Sequence, residues 1–140
     1  MLAYLAGAMS CHHNNQEFSK AKQWRRTLTY LLQSHWEVMD VFDPTINFET
    51  NIKTDCSNAS IVSQNRHYLI KSDIVILNAE ELEQSPGTLW EMFVAKEHNK
   101  PIYVFKDSNW LKSPHIAECI TMKFNDYDDL INHLRNFYHK

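Results

Sequence analysis

Short apolar runs alternate along this chain with apolar residues spaced three and four apart, and few architectures accommodate that alternation. Leu2 to Ala6, Val38 to Phe42, Ile74 to Leu77, Ile102 to Phe105 and Cys119 to Phe124 read as strands, the last weaker than the others. Phe18, Ala21, Trp24, Leu28, Leu31 and Leu32 recur at helical spacing, and so do Ile61, Val62, Tyr68, Leu69 and Ile70. Leu89, Met92, Phe93 and Ala95 make a third helical pattern, and Leu130, Ile131, Leu134 and Phe137 a fourth. The run Leu2 to Ala6 is continuous rather than alternating, as a strand covered on both faces is. Strand and helix in turn imply a parallel sheet, right-handed crossovers and helices on both faces. Five strands suit the flavodoxin-like order 2-1-3-4-5, a Rossmann-like, doubly wound α/β fold. Strands 1 and 3 then adjoin, and the loops after them face each other across one crevice.

The length, 140 residues, suits a single domain spanning 1–140. A net charge of −3 gives no basic balance for a nucleic-acid polymer. Cys11, Cys56 and Cys119 are odd in number and far apart, which fits free thiols in a reducing cytoplasm better than a disulfide framework. Neither CxxC nor HExxH spacing occurs, and no metal site is expected. Met1 to Gly7 is apolar but short and lacks a basic lead, so it reads as a buried first strand rather than a signal peptide. No apolar run is long enough to span a membrane.

The chain has 2 glycines, Gly7 and Gly87. Each follows a predicted strand and precedes a predicted helix, where backbone without a Cβ lets a ligand approach. Two ordinary turns would account for them equally well. In Ser85-Pro86-Gly87-Thr88-Leu89-Trp90-Glu91, Ser85 or Thr88 is placed to cap a helix whose N-terminal amides suit a phosphate or hydroxyl. Glu91 falls about one turn in, where a carboxylate either serves as a nucleophile or simply complements the helix dipole. Arg25 and Arg26 are expected in solvent, and Trp90 in packing. The polar stretch Thr45 to Ala59 is long for a connection and suits a binding loop. Asn99, with Pro101 just beyond, suits a helix end.

Four pieces together resemble the nucleoside 2-deoxyribosyltransferase family, which includes 2′-deoxynucleoside 5′-phosphate N-hydrolases. They are Tyr4-Leu5-Ala6-Gly7-Ala8-Met9-Ser10, Ser72-Asp73-Ile74-Val75-Ile76, Ser85 to Glu91, and Asn99-Lys100-Pro101. The resemblance implies that Glu91 attacks the anomeric carbon and expels the nucleobase, leaving a covalent glycosyl-enzyme like that of a retaining glycosidase. Water or a second base then takes the sugar. Tyr4 stands where the family orients its nucleophile by a hydrogen bond. The implied substrate is a small nucleoside or nucleotide, with no cofactor, and family members are homodimers or higher homo-oligomers.

The chain departs from the family at two places. Asn65 occupies the position of an aspartate that serves the site, and an asparagine can hydrogen-bond but cannot deliver a proton as the acid does. Ser85 stands where the nucleoside transferases carry an aspartate for the free 5′-hydroxyl. A serine there resembles the 5′-monophosphate hydrolases, because it donates to a phosphate that a carboxylate would repel. Ser113 is similar to a second phosphate-binding serine, one that comes from a neighbouring subunit. Base selection would fall to Met9, Ser10 and His12 and to the loop after Thr45. Two other readings are a cytokinin-type nucleotide phosphoribohydrolase, suggested by Gly87-Thr88-Leu89-Trp90-Glu91 without its preceding glycines, and an inactive nucleotide-binding module, suggested by Asn65.

Overall fold

A five-stranded sheet in the order β2-β1-β3-β4-β5, parallel at every pairing, forms the middle of the molecule. The computed structural model describes residues 1–9, 15–36, 39–46 and 57–138. The strands are β1 (Leu2–Ala6), β2 (Asp40–Phe42), β3 (Ile74–Asn78), β4 (Ile102–Phe105) and β5 (Met122–Phe124). The helices are α1 (Asn15–His35), α2 (Asn58–Lys71), α3 (Pro86–Glu97), α4 (Pro114–Ala117) and α5 (Tyr127–Tyr138), with 3-10 turns at Leu82–Gln84 and Asn109–Lys112. This is the strand order and the α/β class that the alternation predicts.

Burial explains why the inner strands were legible. β3 and β4 are buried at every position and β1 at all but Leu2, whereas the edge strands β2 and β5 are each buried only at their last residue. Side chains alternate between two cores. Ala3, Leu5, Ile74, Ile76, Tyr103 and Phe105 pack with Leu28 and Leu32 of α1 and Leu130 and Leu134 of α5. Tyr4, Ala6, Val75, Leu77, Ile102 and Val104 pack on the opposite face with Leu69 of α2 and Met92 and Ala95 of α3. Each fully buried Leu or Ile contributes roughly 1.5–3 kcal/mol, so two truncations would approach a domain's net stability of about 5–15 kcal/mol.

Local signals set the element ends. Ser57 caps α2, its side chain accepting from the Ser60 amide at 3.2 Å. Asp126 accepts from the Asp129 amide at 2.9 Å at the start of α5. Asn99 is left-handed (φ 57), and the amides of Asn99 and Lys100 bond the carbonyls of Lys96 and Ala95, closing α3 as its sequence foretells. At the foot of the sheet, Asp73 accepts from the Leu2 amide at 2.7 Å and its own amide donates to the Leu2 carbonyl, which locks β1 to β3. The fifth strand begins at Met122 rather than at Cys119. Cys119 and Ile120 still bond back to Ile116 and Ala117 in a turn, and Cys119 is buried under it.

Candidate active site

The carboxyl ends of β1 and β3 lie side by side, with Ala6 opposite Leu77. The two glycine-bearing turns therefore leave neighbouring strands, at the point where the strand order reverses and α/β sheets bind ligands. A Cβ placed on Gly7 would sit 3.5 Å from the Asn78 Cβ, so the β1 turn touches the end of β3 directly.

Glu91 stands in the second turn of α3, and Tyr4 in the middle of β1. Tyr4 is fully buried, its ring stacked on Phe42 of β2 at 5.3 Å, which stacks on Tyr68 of α2 at 4.2 Å. That column fixes the direction of the Tyr4 hydroxyl. Glu91 Oε2 and Tyr4 Oη are both shut off from solvent, and neither makes a well-formed hydrogen bond. They are close enough to act on each other electrostatically. Burial pushes the Glu91 carboxyl up to about 7, while Tyr4 and Arg25 each pull it back. Burial, with the Glu91 charge adding to it, raises the Tyr4 hydroxyl well above its usual value, so it stays a neutral donor.

Arg25 was expected in solvent and is not. It is 1% exposed, while Arg26 next to it is exposed. Its Nη2 donates to the Gly7 carbonyl and its Nη1 to the Ala21 carbonyl, both at 2.9 Å. Its Nε lies 3.7 Å from Asp43 Oδ1. The signal was in the spacing: Ala21, Arg25, Leu28 and Leu32 form one buried stripe of α1, and an arginine on that stripe has to point inward.

The two glycines have different surroundings. A Cβ on Gly7 would meet Trp24 Cζ2 at 2.8 Å and Arg25 Nη2 at 3.4 Å, so packing against α1 demands glycine there. Gly87 has nothing within 4 Å of such a Cβ, and neither glycine has positive φ. Ser85 takes the cap position of α3 but makes no side-chain cap bond. Its hydroxyl lies 2.6 Å from Thr88 Oγ1, and both residues are 2% exposed.

The remaining candidates are dispersed. Met9 is half-buried just after β1. Asn65 is half-buried on α2. Ser113 precedes Pro114, and its carbonyl takes the amides of Ile116 and Ala117 in the first turn of α4. Trp90, expected in packing, is 38% exposed. Ser10, His12 and residues 47–56 of the polar loop lie outside the described residues. Among the described residues no three His, Cys, Asp or Glu side chains gather as a metal site requires, and no helix is long and apolar enough to cross a membrane.

An open cleft of about 370 Å³ lies on the other side of Gly7, toward α1 and α5. Its walls include Ala8, Lys20, Trp24, Asn78, Lys106 and Tyr127, but neither Tyr4 nor Glu91.

The model of the family described as nucleoside 2-deoxyribosyltransferase matches residues 3–131. Among solved structures, a 2-deoxyribosyltransferase of the psychrotolerant bacterium Bacillus psychrosaccharolyticus superposes with a TM-score of 0.67 at 18% identity, covering 94% of this chain and 91% of that one. A conserved protein of Enterococcus faecalis V583 gives a TM-score of 0.76 at 12% identity, covering 97% and 98%. A CMP N-glycosidase of Clostridium botulinum gives 0.62 at 15% identity, covering 98% and 99%. At these identities the likenesses show the fold. No curated protein matches the chain by sequence.

Proposed function

The chain belongs to the nucleoside 2-deoxyribosyltransferase family, and on that premise we propose that it cleaves the N-glycosidic bond of a nucleoside or its 5′-monophosphate with Glu91 as nucleophile. The observation that carries this reading is the meeting of Glu91 and Tyr4 at the β1–β3 switch point, where Oε2 and Oη are both buried and act on each other.

In this reading a Glu91 carboxylate oxygen bonds to the anomeric carbon as the carbon–nitrogen bond breaks, and the base departs with that electron pair. The Tyr4 hydroxyl fixes the angle of the carboxylate. Asn65, from α2, offers the leaving base a hydrogen bond but no proton. Water, or the nitrogen of a second base, then displaces Glu91 from the sugar.

A 5′-phosphate would meet the first turn of α3. The Gly87 and Thr88 amides lack intrahelical partners by their position, and open space lies over Gly87. The Ser85 hydroxyl is engaged with Thr88, so in this reading it supports the turn and the amides take most of the anion. Met9 and Ser10 would border the base, and Ser113 would reach a phosphate from a second subunit. At least a dimer is therefore part of the proposal. Trp90 and Phe93, one turn apart on α3 and 38% and 40% exposed, give it an apolar surface to cover. Among the described residues the one cysteine, Cys119, is a buried free thiol.

The test is base release from a panel of deoxynucleosides, ribonucleosides and their 5′-monophosphates, with and without a second free base. Release from monophosphates in water alone identifies a nucleotide hydrolase. Exchange confined to free nucleosides identifies a transferase and removes the phosphate role of the α3 turn. No release from any of them leaves the inactive nucleotide-binding module, the reading that Asn65 favours.

A further inference from the structure

The open cleft of about 370 Å³ beside Gly7 lies apart from the Glu91 site. Tyr4 belongs to the core packed under α2 and α3, whereas Trp24 and Tyr127, which line the cleft, pack on the core under α1 and α5. The sheet therefore stands between the two. The cleft opens at the carboxyl ends of parallel strands, where α/β proteins take ligands. Its volume falls in the range of small-molecule sites, about 300–1,000 Å³.

The walls of the cleft are held in place from beneath. Phe105, at the end of β4 and 1% exposed, supports both aromatic side chains. Trp24 of α1 meets it edge-on at 5.5 Å, and Tyr127 of α5 is tilted against it at 4.9 Å. Trp24 and Tyr127 are themselves only half-buried. Asn78, the last residue of β3, lines the cleft while 6% exposed. Its Oδ1 accepts from the Glu80 amide at 2.9 Å, which leaves its amino end to serve a ligand. Burial, with the Glu80 charge adding to it, raises the Tyr127 hydroxyl, so it stays a neutral donor. Among the described residues, three other than glycine have positive φ. One is Asn99 at the end of α3, and the other two, Glu81 (φ 60) and Lys106 (φ 66), both line this cleft. Such backbone persists where its surroundings over-determine it, and it gathers at ligand sites.

Charge selects the class of ligand. Lys20 and Lys106 line the cleft and so do Glu80 and Glu81, so the formal charges of its walls cancel. A phosphate finds no net positive field there. A flat ring with donors and acceptors on its edge finds aromatic walls and partners of both kinds. We propose that this cleft is a second ligand site, and that it takes an uncharged, planar nitrogen heterocycle. The ring lies against Trp24 and Tyr127, and the Asn78 amino group donates to one of its acceptors. A free nucleobase and the base of a nucleoside both offer that chemistry. The site is separate from the reaction proposed at Glu91 and does not rest on it.

The experiment is a nitrogen-15 NMR titration of the full chain with adenine, cytosine, adenosine, cytidine, the two 5′-monophosphates and inorganic phosphate. It is run on the Glu91→Gln protein, where the nucleosides stay intact whether or not the wild type cleaves them. Saturable shifts are expected at the Asn78 side-chain amide, the Trp24 indole and the Lys106 amide. Thr27, exposed on α1, lines the cleft, and Thr27→Trp should fill it and weaken binding by roughly tenfold or more. Should that variant not fold, Gln23→Trp, one turn away on the same rim, serves in its place. Lys20→Gln keeps a donor but removes the charge, and should change affinity by less than about twofold. A base that binds more tightly than its nucleoside makes the free base the ligand, and the reverse order makes it the nucleoside; either supports the proposal. Shifts confined to the surroundings of Tyr4, no saturable shift with any probe, or unchanged affinity in the cleft-filling variant overturns it. Phosphate or a monophosphate binding more tightly than the nucleosides, with that affinity lost in Lys20→Gln, also overturns it, because the cleft is then an anion site.

Discussion

The turn after β1 and the turn after β3 look alike in sequence and are opposites in structure. Each carries one of the chain's glycines between a buried strand and a helix. At Gly7 the space a Cβ would occupy is taken by Trp24, at 2.8 Å, and the carbonyl is taken by Arg25. At Gly87 the space is open and the backbone is ordinary helix. One glycine answers to the interior of the protein, and the other leaves room for something outside it. A glycine's meaning therefore lies in what surrounds its missing side chain, not in its position after a strand.

The strongest way to sharpen that contrast is to remove the group that the β3 turn presents. Glu91→Gln should lower base release by about a thousandfold or more, the scale on which nucleophile removal acts, while leaving substrate binding measurable by calorimetry. The same variant should be the more stable protein in alkaline solution. The folded-state pKa of Glu91 is raised from 4.5 to about 7, so the folded state holds its proton more tightly than the unfolded chain does. Its burial therefore costs nothing below pH 4.5, costs more as the pH climbs from there toward 7, and costs its full amount above that. Denaturation should show Glu91→Gln gaining up to about 3 kcal/mol on the wild type at pH 8, and near nothing at pH 4. An equal difference at both pH values would contradict a buried, proton-coupled carboxyl.

Next in size is Gly7→Ala. The methyl must displace Trp24 or shift the turn, at a cost of about 1–3 kcal/mol. Urea denaturation should show the loss, and combining the change with Trp24→Leu should recover part of it. Full additivity of the two changes would mean that the Trp24 contact is not what excludes a side chain. The smallest effect belongs to Gly87→Ala. In an open helical position alanine should be neutral or stabilising by about 0.5–1 kcal/mol, yet KM for a 5′-monophosphate should rise if the α3 amides hold the phosphate. Unchanged KM would place the phosphate elsewhere and make the two glycines alike in being structural.

Much of the fold was legible because its signals are local. The inner strands are buried on both faces, so they read as continuous apolar runs, with the ends found in the structure except that β3 runs one residue further, to Asn78. The edge strands are half exposed and read less well, which is why the fifth strand was placed from Cys119 when pairing begins at Met122. Tyr4 and Glu91 were singled out through their motifs, and the fold brings the two side chains together. Arg25 was missed because two adjacent arginines on a helix look like a solvated face, although its register with Ala21, Leu28 and Leu32 marked it as buried.

By itself, the sequence determined the alternation of elements, the parallel order of the sheet, the helix end at Asn99, and the family. These follow from hydrophobic period and turn chemistry, which act over a few residues. Only the tertiary structure decided that Trp24 fills the space beside Gly7, that Ser85 turns its hydroxyl to Thr88, and that Arg25 crosses β1 toward Asp43. It also decided how little water reaches Tyr4 Oη and Glu91 Oε2. Desolvation and charge coupling depend on atoms brought together from distant parts of the chain, and no window of sequence contains them.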